Sequence, residues 1–179
     1  MSESLSDLDR IDLKILNVLQ QDGRLSNLKL AEAVALSPTA VAGIFEAKGR
    51  PSTNPLIVHI LDLEAAAELT TALPDGARRL TATFWPGPLT LVLRAKTNTR
   101  ICDLARAGLS TQAVRVPAHP MALELLRVVG VPLVAPSANA SGTISPVSAA
   151  HVMKSLEGRI GWVLDGGECS EGLESTIID

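Results

Sequence analysis

The chain has 179 residues, 46% hydrophobic and 20% charged, with a net charge of -3, which is room for one packed domain plus a small module. The charge balance excludes a surface coated in basic residues, so nucleic acid would need a local patch; with no Tyr, two Trp and two Phe, stacking platforms are too few to make single-strand binding a main function. Cys102 and Cys169 lack metal-ligand spacing and no apolar run spans a bilayer, so the expectation is a reduced, cytoplasmic protein with no membrane contact.

From Leu8 to Gly23 the apolar residues Leu8, Ile11, Ile15, Val18 and Leu19 recur at helical spacing, with Asp7 or Asp9 as N-cap and Gly23 as terminator. Ser26 can cap a second helix carrying Leu28, Ala31, Val34 and Ala35, and Ser37-Pro38 opens a third. Three short helices with tight turns suggest a helix-turn-helix over residues 1–43. The third helix, however, reads Thr39-Ala40-Val41-Ala42-Gly43-Ile44-Phe45-Glu46-Ala47, where a recognition helix presents polar and basic groups. With four basic and six acidic residues among the first 43, DNA binding is not expected of it.

After Ile44 the pattern alternates between strands and helices. Strand Leu56–Ile60 precedes helix Leu63–Leu73, and the turn Trp85-Pro86-Gly87-Pro88 precedes strand Leu89–Leu93. Strand Ala113–Val116, helix Pro120–Val129, strand Val131–Ala135, helix Val147–Leu156 and strand Gly161–Leu164 follow. Strands this apolar predict an α/β domain whose sheet is buried on both faces.

Two polar clusters interrupt the apolar run: Lys48-Gly49-Arg50-Pro51 with Asn54, and Pro136-Ser137-Ala138-Asn139. A Lys point charge, an Arg fork and hydrogen-bonding Ser and Asn suit the two halves of a phosphate site. Taken singly, each residue has an ordinary reading. Lys48 and Arg50 suit the C-terminal dipole of the helix before them, and a strand histidine such as His59 is commonly a satisfied core residue. Ser137, Asn139 and the Trp85–Pro88 run equally suit turns. Glu46, ahead of Lys48, reads as a solvent-facing acid.

Two resemblances organise these residues. Leu8-Asp9-Arg10-Ile11-Asp12 through Ile15-Leu16, then Asp22-Gly23-Arg24 and Leu36-Ser37-Pro38-Thr39, resemble the N-terminal module of the Lrp/AsnC transcription regulators. The motifs Ile44-Phe45-Glu46-Ala47-Lys48-Gly49-Arg50-Pro51, Asn54-Pro55-Leu56-Ile57-Val58-His59, Phe84-Trp85-Pro86-Gly87-Pro88-Leu89-Thr90, Val114-Arg115-Val116-Pro117, Ala135-Pro136-Ser137-Ala138-Asn139, Ser141-Gly142 and Gly172-Leu173-Glu174-Ser175-Thr176 resemble, in order, the YrdC-like threonylcarbamoyl-adenylate synthases.

The second resemblance implies a YrdC-like twisted mixed sheet with flanking helices over residues 44–179. It implies formation of threonylcarbamoyl-AMP and pyrophosphate from L-threonine, bicarbonate and ATP, with Mg2+, for tRNA adenosine modification; tRNA or double-stranded RNA is a possible partner. It places Lys48, Arg50, Asn54, Thr111, Ser137, Asn139 and Ser145 at the nucleotide, with Lys48, Arg50, Ser137 and Asn139 catalytic. His59, Arg115, Ala135 and Ser175 fall at the threonine, and the protein itself supplies no metal ligands. The family's opening strand, helix and Pro-Thr-Glu-Thr-Tyr-Gly-Leu segment, and its Arg-Pro-Gly segment beyond Thr176, have no counterpart here. The expectation is therefore a truncated, weakly active synthase domain whose uncovered sheet favours self-association. The alternatives are a DNA-binding regulator fragment or a fusion with no selected function.

Overall fold

The computed structural model describes residues 37–170, 172 and 174–179, and the two helices expected before Ser37 lie outside the described residues. Helix α1 (Pro38–Lys48) begins as Ser37-Pro38 predicts: the Ser37 hydroxyl accepts from Ala40 N at 3.1 Å, and proline occupies the first turn, where its missing N–H is harmless. Gly49, at φ 59, ends the helix in a Schellman arrangement, with Gly49 N donating to Glu46 O and Arg50 N to Phe45 O. The glycine in Lys-Gly-Arg is thus a conformational requirement, because a side chain at that φ is strained.

Strand β1 (Ile57–His59) follows, then α2 (Leu63–Leu69), α3 (Asp75–Phe84), β2 (Leu89–Arg94), a 3-10 turn (Asp103–Arg106), β3 (Thr111–Arg115), α4 (Pro120–Val129), β4 (Leu133–Val134), α5 (Ala149–Leu156) and β5 (Thr176–Ile178). They form one mixed sheet of order β4-β1-β3-β2-β5. β1 is parallel to β3 and β2 to β5, while β1–β4 and β2–β3 are antiparallel.

The register divides the side chains between two faces. One face carries Val58, Val114, Val134, Leu89, Leu91 and Leu93, all buried against Val41 and Phe45 of α1, Ala66 and Leu69 of α2, and Ala77 of α3. The opposite face carries Ile57, His59, Thr111, Ala113, Arg115, Leu133 and Val92, each only partly buried. Burial on both faces, expected from the apolar strands, is thus complete on one and partial on the other, where Thr90 is fully buried. The second face carries His59, Thr111 and Arg115, and its edge residue Leu133 packs with Val129 of α4 and Val131.

Three other expectations are corrected. The helix expected over Leu63–Leu73 stops at Leu69, because Thr70 turns extended (φ -120, ψ 153) and bridges to Ala95; Pro74-Asp75 then starts α3, which periodicity did not separate. The strand expected over Val131–Ala135 contracts to Leu133–Val134, the part that faces β1. Gly161–Leu164 forms no strand: it has no neighbouring backbone to pair with among the described residues, and Trp162 and Leu164 are 89% and 66% exposed. β-propensity is realised only where another strand supplies hydrogen bonds and cover.

Candidate functional site

The first cluster forms where α1 ends against the loop after β4. Lys48 is 5% exposed, and its ammonium donates to the backbone carbonyls of Ser137 and Asn139 and, at 3.4 Å, to Asn139 Oδ1. Its own carbonyl accepts from Ser141 N at 2.8 Å. Asn139, also buried, turns its amide the other way, donating to Thr143 O (2.8 Å), Thr143 Oγ1 (3.2 Å) and Ile144 O (3.4 Å). Burial, then the neighbouring Arg50 charge, lowers the Lys48 pKa.

Arg50 hangs just beyond the helix, held by Nε to Asn54 O at 3.1 Å and one terminal nitrogen to Pro55 O at 2.8 Å. Two of its five N–H groups are used this way, and the other three have no partner among the described residues. Thr111 begins β3, two residues before Ala113, which pairs with Ile57. Ser137 and Ser145 line a cleft of ≈ 260 Å³ closed by Val163–Gly167 and the first turn of α5. Ser148 caps that helix, accepting from His151 N, so the cleft offers hydroxyls and a helix N-terminus to an anion.

The second cluster lies on the half-open sheet face. β1–β3 pairing sets His59 beside Arg115, and β1–β4 pairing sets His59 beside Leu133, two residues before Ala135. Ala135 N donates to Ile57 O, and Ala135 itself is exposed. Ser175 precedes β5, its hydroxyl 3.5 Å from that of Thr90, whose pairing with Ile177 puts both on this same face. His59, Arg115, Ala135 and Ser175 thus share one surface, although 116 positions separate the first from the last.

Arg115 is positioned by the proline turn. Its Nε donates to Gly87 O at 3.0 Å while Gly87 N donates to Val116 O at 2.9 Å, and Trp85 Nε1 holds Leu89 O at 2.8 Å. Gly87 must be glycine, since a Cβ there would lie 2.2 Å from Phe84 O. Four N–H groups of Arg115 have no partner among the described residues. His59 Nδ1 is buried and has no hydrogen-bond partner among the described residues. Burial, then Arg115, pushes the imidazole down to about 4 against an opposing pull from the Ile57 and Leu133 backbone, so it is neutral at pH 7.

Among the described residues the ion pairs are Arg106–Asp103 and Arg127–Glu124. Lys48, Arg50 and Arg115 have no acidic partner there, an arrangement that fits anionic ligands. No three His, Cys, Asp or Glu side chains of the described residues gather as a metal site. The donor set of hydroxyls and cations does not fit a protein-held Mg2+. Gly87 and Thr90 lie in the Trp85–Thr90 turn and motif, but neither was singled out as a site residue, since a threonine inside Leu-Thr-Leu reads as an ordinary strand residue. No described helix is long and apolar enough to cross a membrane.

Comparison with known proteins follows the same division. The Sua5, YciO and YrdC family, described as telomere recombination, matches residues 32–179, and an AsnC-type helix-turn-helix domain matches 8–43. The chain is 49% identical over 146 residues to a threonylcarbamoyl-AMP synthase of Bacillus subtilis, covering 82% of this chain and 42% of that protein. Pyrococcus abyssi Sua5 in complex with L-threonine is similar at 49% identity and TM-score 0.77, with 82% of this chain and 43% of that one covered. The MTH1692 protein from Methanobacterium thermoautotrophicum shares the fold at 22% identity and TM-score 0.63, over all of this chain and 85% of its own. The chain spans less than half the length of the first two of these relatives.

Proposed function

Because the chain belongs to the Sua5–YciO–YrdC family over residues 32–179, we propose that its α/β unit, read from the sequence as residues 44–179, is a threonylcarbamoyl-AMP synthase domain. It is a nucleotidyltransferase acting in the cytoplasm on L-threonine, bicarbonate and ATP, toward tRNA modification. The observation that carries this reading is the shared face of His59, Arg115, Ala135 and Ser175. It offers a guanidinium with free donors for a carboxylate and neutral groups beside it for the rest of a small amino acid.

In this reading Arg115 pairs with the threonine carboxylate, and Ser175 with the backbone at Ala135 fixes the amino group for carbamate formation. A carbamate oxygen then attacks the α-phosphorus of ATP, which arrives as its magnesium complex, and pyrophosphate leaves. Arg50, Asn54, Thr111, Ser137 and Ser145 hold the nucleotide, with Lys48 and Asn139 behind them. Such a site works by alignment and by opposing the crowded phosphate charge, with no covalent step on the protein. The L-threonine complex of Pyrococcus abyssi Sua5 supports the choice of amino acid.

The test is pyrophosphate release from ATP by the full chain. Release that requires both L-threonine and bicarbonate supports the reading, and release independent of either contradicts it. The AsnC-type match raises a second reading, a DNA-binding regulator, which salt-sensitive, sequence-selective duplex binding would favour.

A further inference from the structure

The Lys48 ammonium has three N–H hydrogens, and the structure brings it three oxygens: Ser137 O, Asn139 O and Asn139 Oδ1. These acceptors crowd around the ammonium and turn its donors toward the loop. Those oxygens come from a loop 89 to 91 residues away, so the contact fixes tertiary structure and not merely a helix end. The Lys48 carbonyl meanwhile receives Ser141 N, closing the connection from both ends of one residue. Asn139 passes it on to Thr143 and Ile144, immediately before Ser145. Ala140 N, donating to Ser155 Oγ at 2.9 Å, ties the same loop to α5.

We propose that Lys48 is a positioning residue, whose ammonium latches the 137–145 loop to the end of α1 so that Ser137 and Ser145 face the cleft. Its partner in this is Asn139, and direct contact with phosphate belongs to Arg50, which keeps three free donors. The residue type follows from the geometry. A tetrahedral ammonium on a flexible stem can meet three oxygens crowded around one point, whereas a planar guanidinium presents its donors in a flat fork. Methionine of similar length fills the space but leaves three acceptors unmet. The proposal rests on the functional reading above for what the loop serves, and not for how the loop is held.

The experiment is amide hydrogen exchange on the nucleotide-free full chain, with affinities for AMP and ATP measured alongside. In both Lys48→Met and Lys48→Arg, amides of residues 137–145 exchange about tenfold or more faster while those of 57–59 and 111–115 keep their protection. AMP and ATP weaken by the same factor, because the loop and not a terminal phosphate has lost its support. If Lys48→Met loses protection throughout the sheet, Lys48→Arg decides by the same criterion. Unchanged exchange at 137–145 in Lys48→Arg overturns the proposal, as does weakening confined to ATP. A wild-type chain that binds no nucleotide, with the variants still showing the exchange change, overturns the functional reading and leaves the latch standing.

Discussion

The two cationic clusters look alike as strings of residues, yet one is closed on itself and the other is open. Lys48 and Asn139 spend their polar groups on each other and on the loop between them. Arg115 and His59 hold one backbone contact from the guanidinium and a buried imidazole nitrogen with no partner. Buried polar groups are nearly always satisfied by the chain or by water, so an unpartnered one next to free guanidinium donors leaves room for a bound molecule. On the proposed reading, the Lys48–Asn139 contact belongs to architecture, while Arg50 beside it and the Arg115 face are left for ligands.

The largest way to break this comparison is Arg115→Ala. Loss of a charge paired with a substrate carboxylate costs about 2–5 kcal/mol, so kcat/KM for L-threonine should fall by at least about thirtyfold while the melting temperature moves little. An unchanged kcat/KM would place the carboxylate elsewhere. Next is Gly87→Ala, which forces the turn away from Phe84 O and takes the Arg115 anchor with it. Urea denaturation should show a loss of about 1–3 kcal/mol, and KM for threonine should rise.

His59 gives a pH signature. Its folded pKa, about 4, lies below the ordinary 6.5, so protons bind the unfolded chain more readily. The stability from keeping it neutral is present above 6.5 and is lost as pH falls toward about 4. The wild type should therefore lose about 2 kcal/mol more than His59→Gln between pH 7 and pH 5; parallel profiles would show that His59 is not buried as described. The smallest effect is expected of Thr90→Val, which removes the contact with Ser175 at a fully buried position. About 1 kcal/mol of stability is at stake, with a modest rise in KM for threonine and little change in kcat.

How much of this was legible in the sequence follows the range of the interactions involved. α1 and α4 were readable because Ser37-Pro38 and Pro120 with Gly130 are local signals that settle their own ends. The break at Thr70 was not, since it depends on a bridge to Ala95, 25 residues on. The runs Ile57–His59 and Gly161–Leu164 are equally apolar, and only the first met a neighbour on each side. The candidate site divides in the same way. Residue types and motif order pointed to an anion site, but nothing local distinguishes the saturated Lys48 from the available Arg50 two positions later. That difference is made by carbonyls at Ser137 and Asn139, which only the fold brings near.

The seam between the two matched families also falls on structure. Residues 32–43 are claimed by both, and α1 runs through Gly43 to Lys48 without a break. Whatever precedes Pro38, this helix contributes Val41 and Phe45 to the core beneath the sheet and delivers Lys48 to the loop. Its apolar composition, unsuited to reading base edges, is what a helix packed on a sheet requires.

The place where an amino acid binds separates the open face from the Lys48 loop most directly. Titration of L-threonine into the nitrogen-labelled full chain, followed by amide chemical shifts, should give saturable changes at His59, Arg115, Ala135 and Ser175, with the Ser141–Thr143 amides unmoved. Saturation with shifts centred on the Lys48 loop, or no shift at any concentration that saturates the family's synthases, would contradict the assignment of the open face to the substrate.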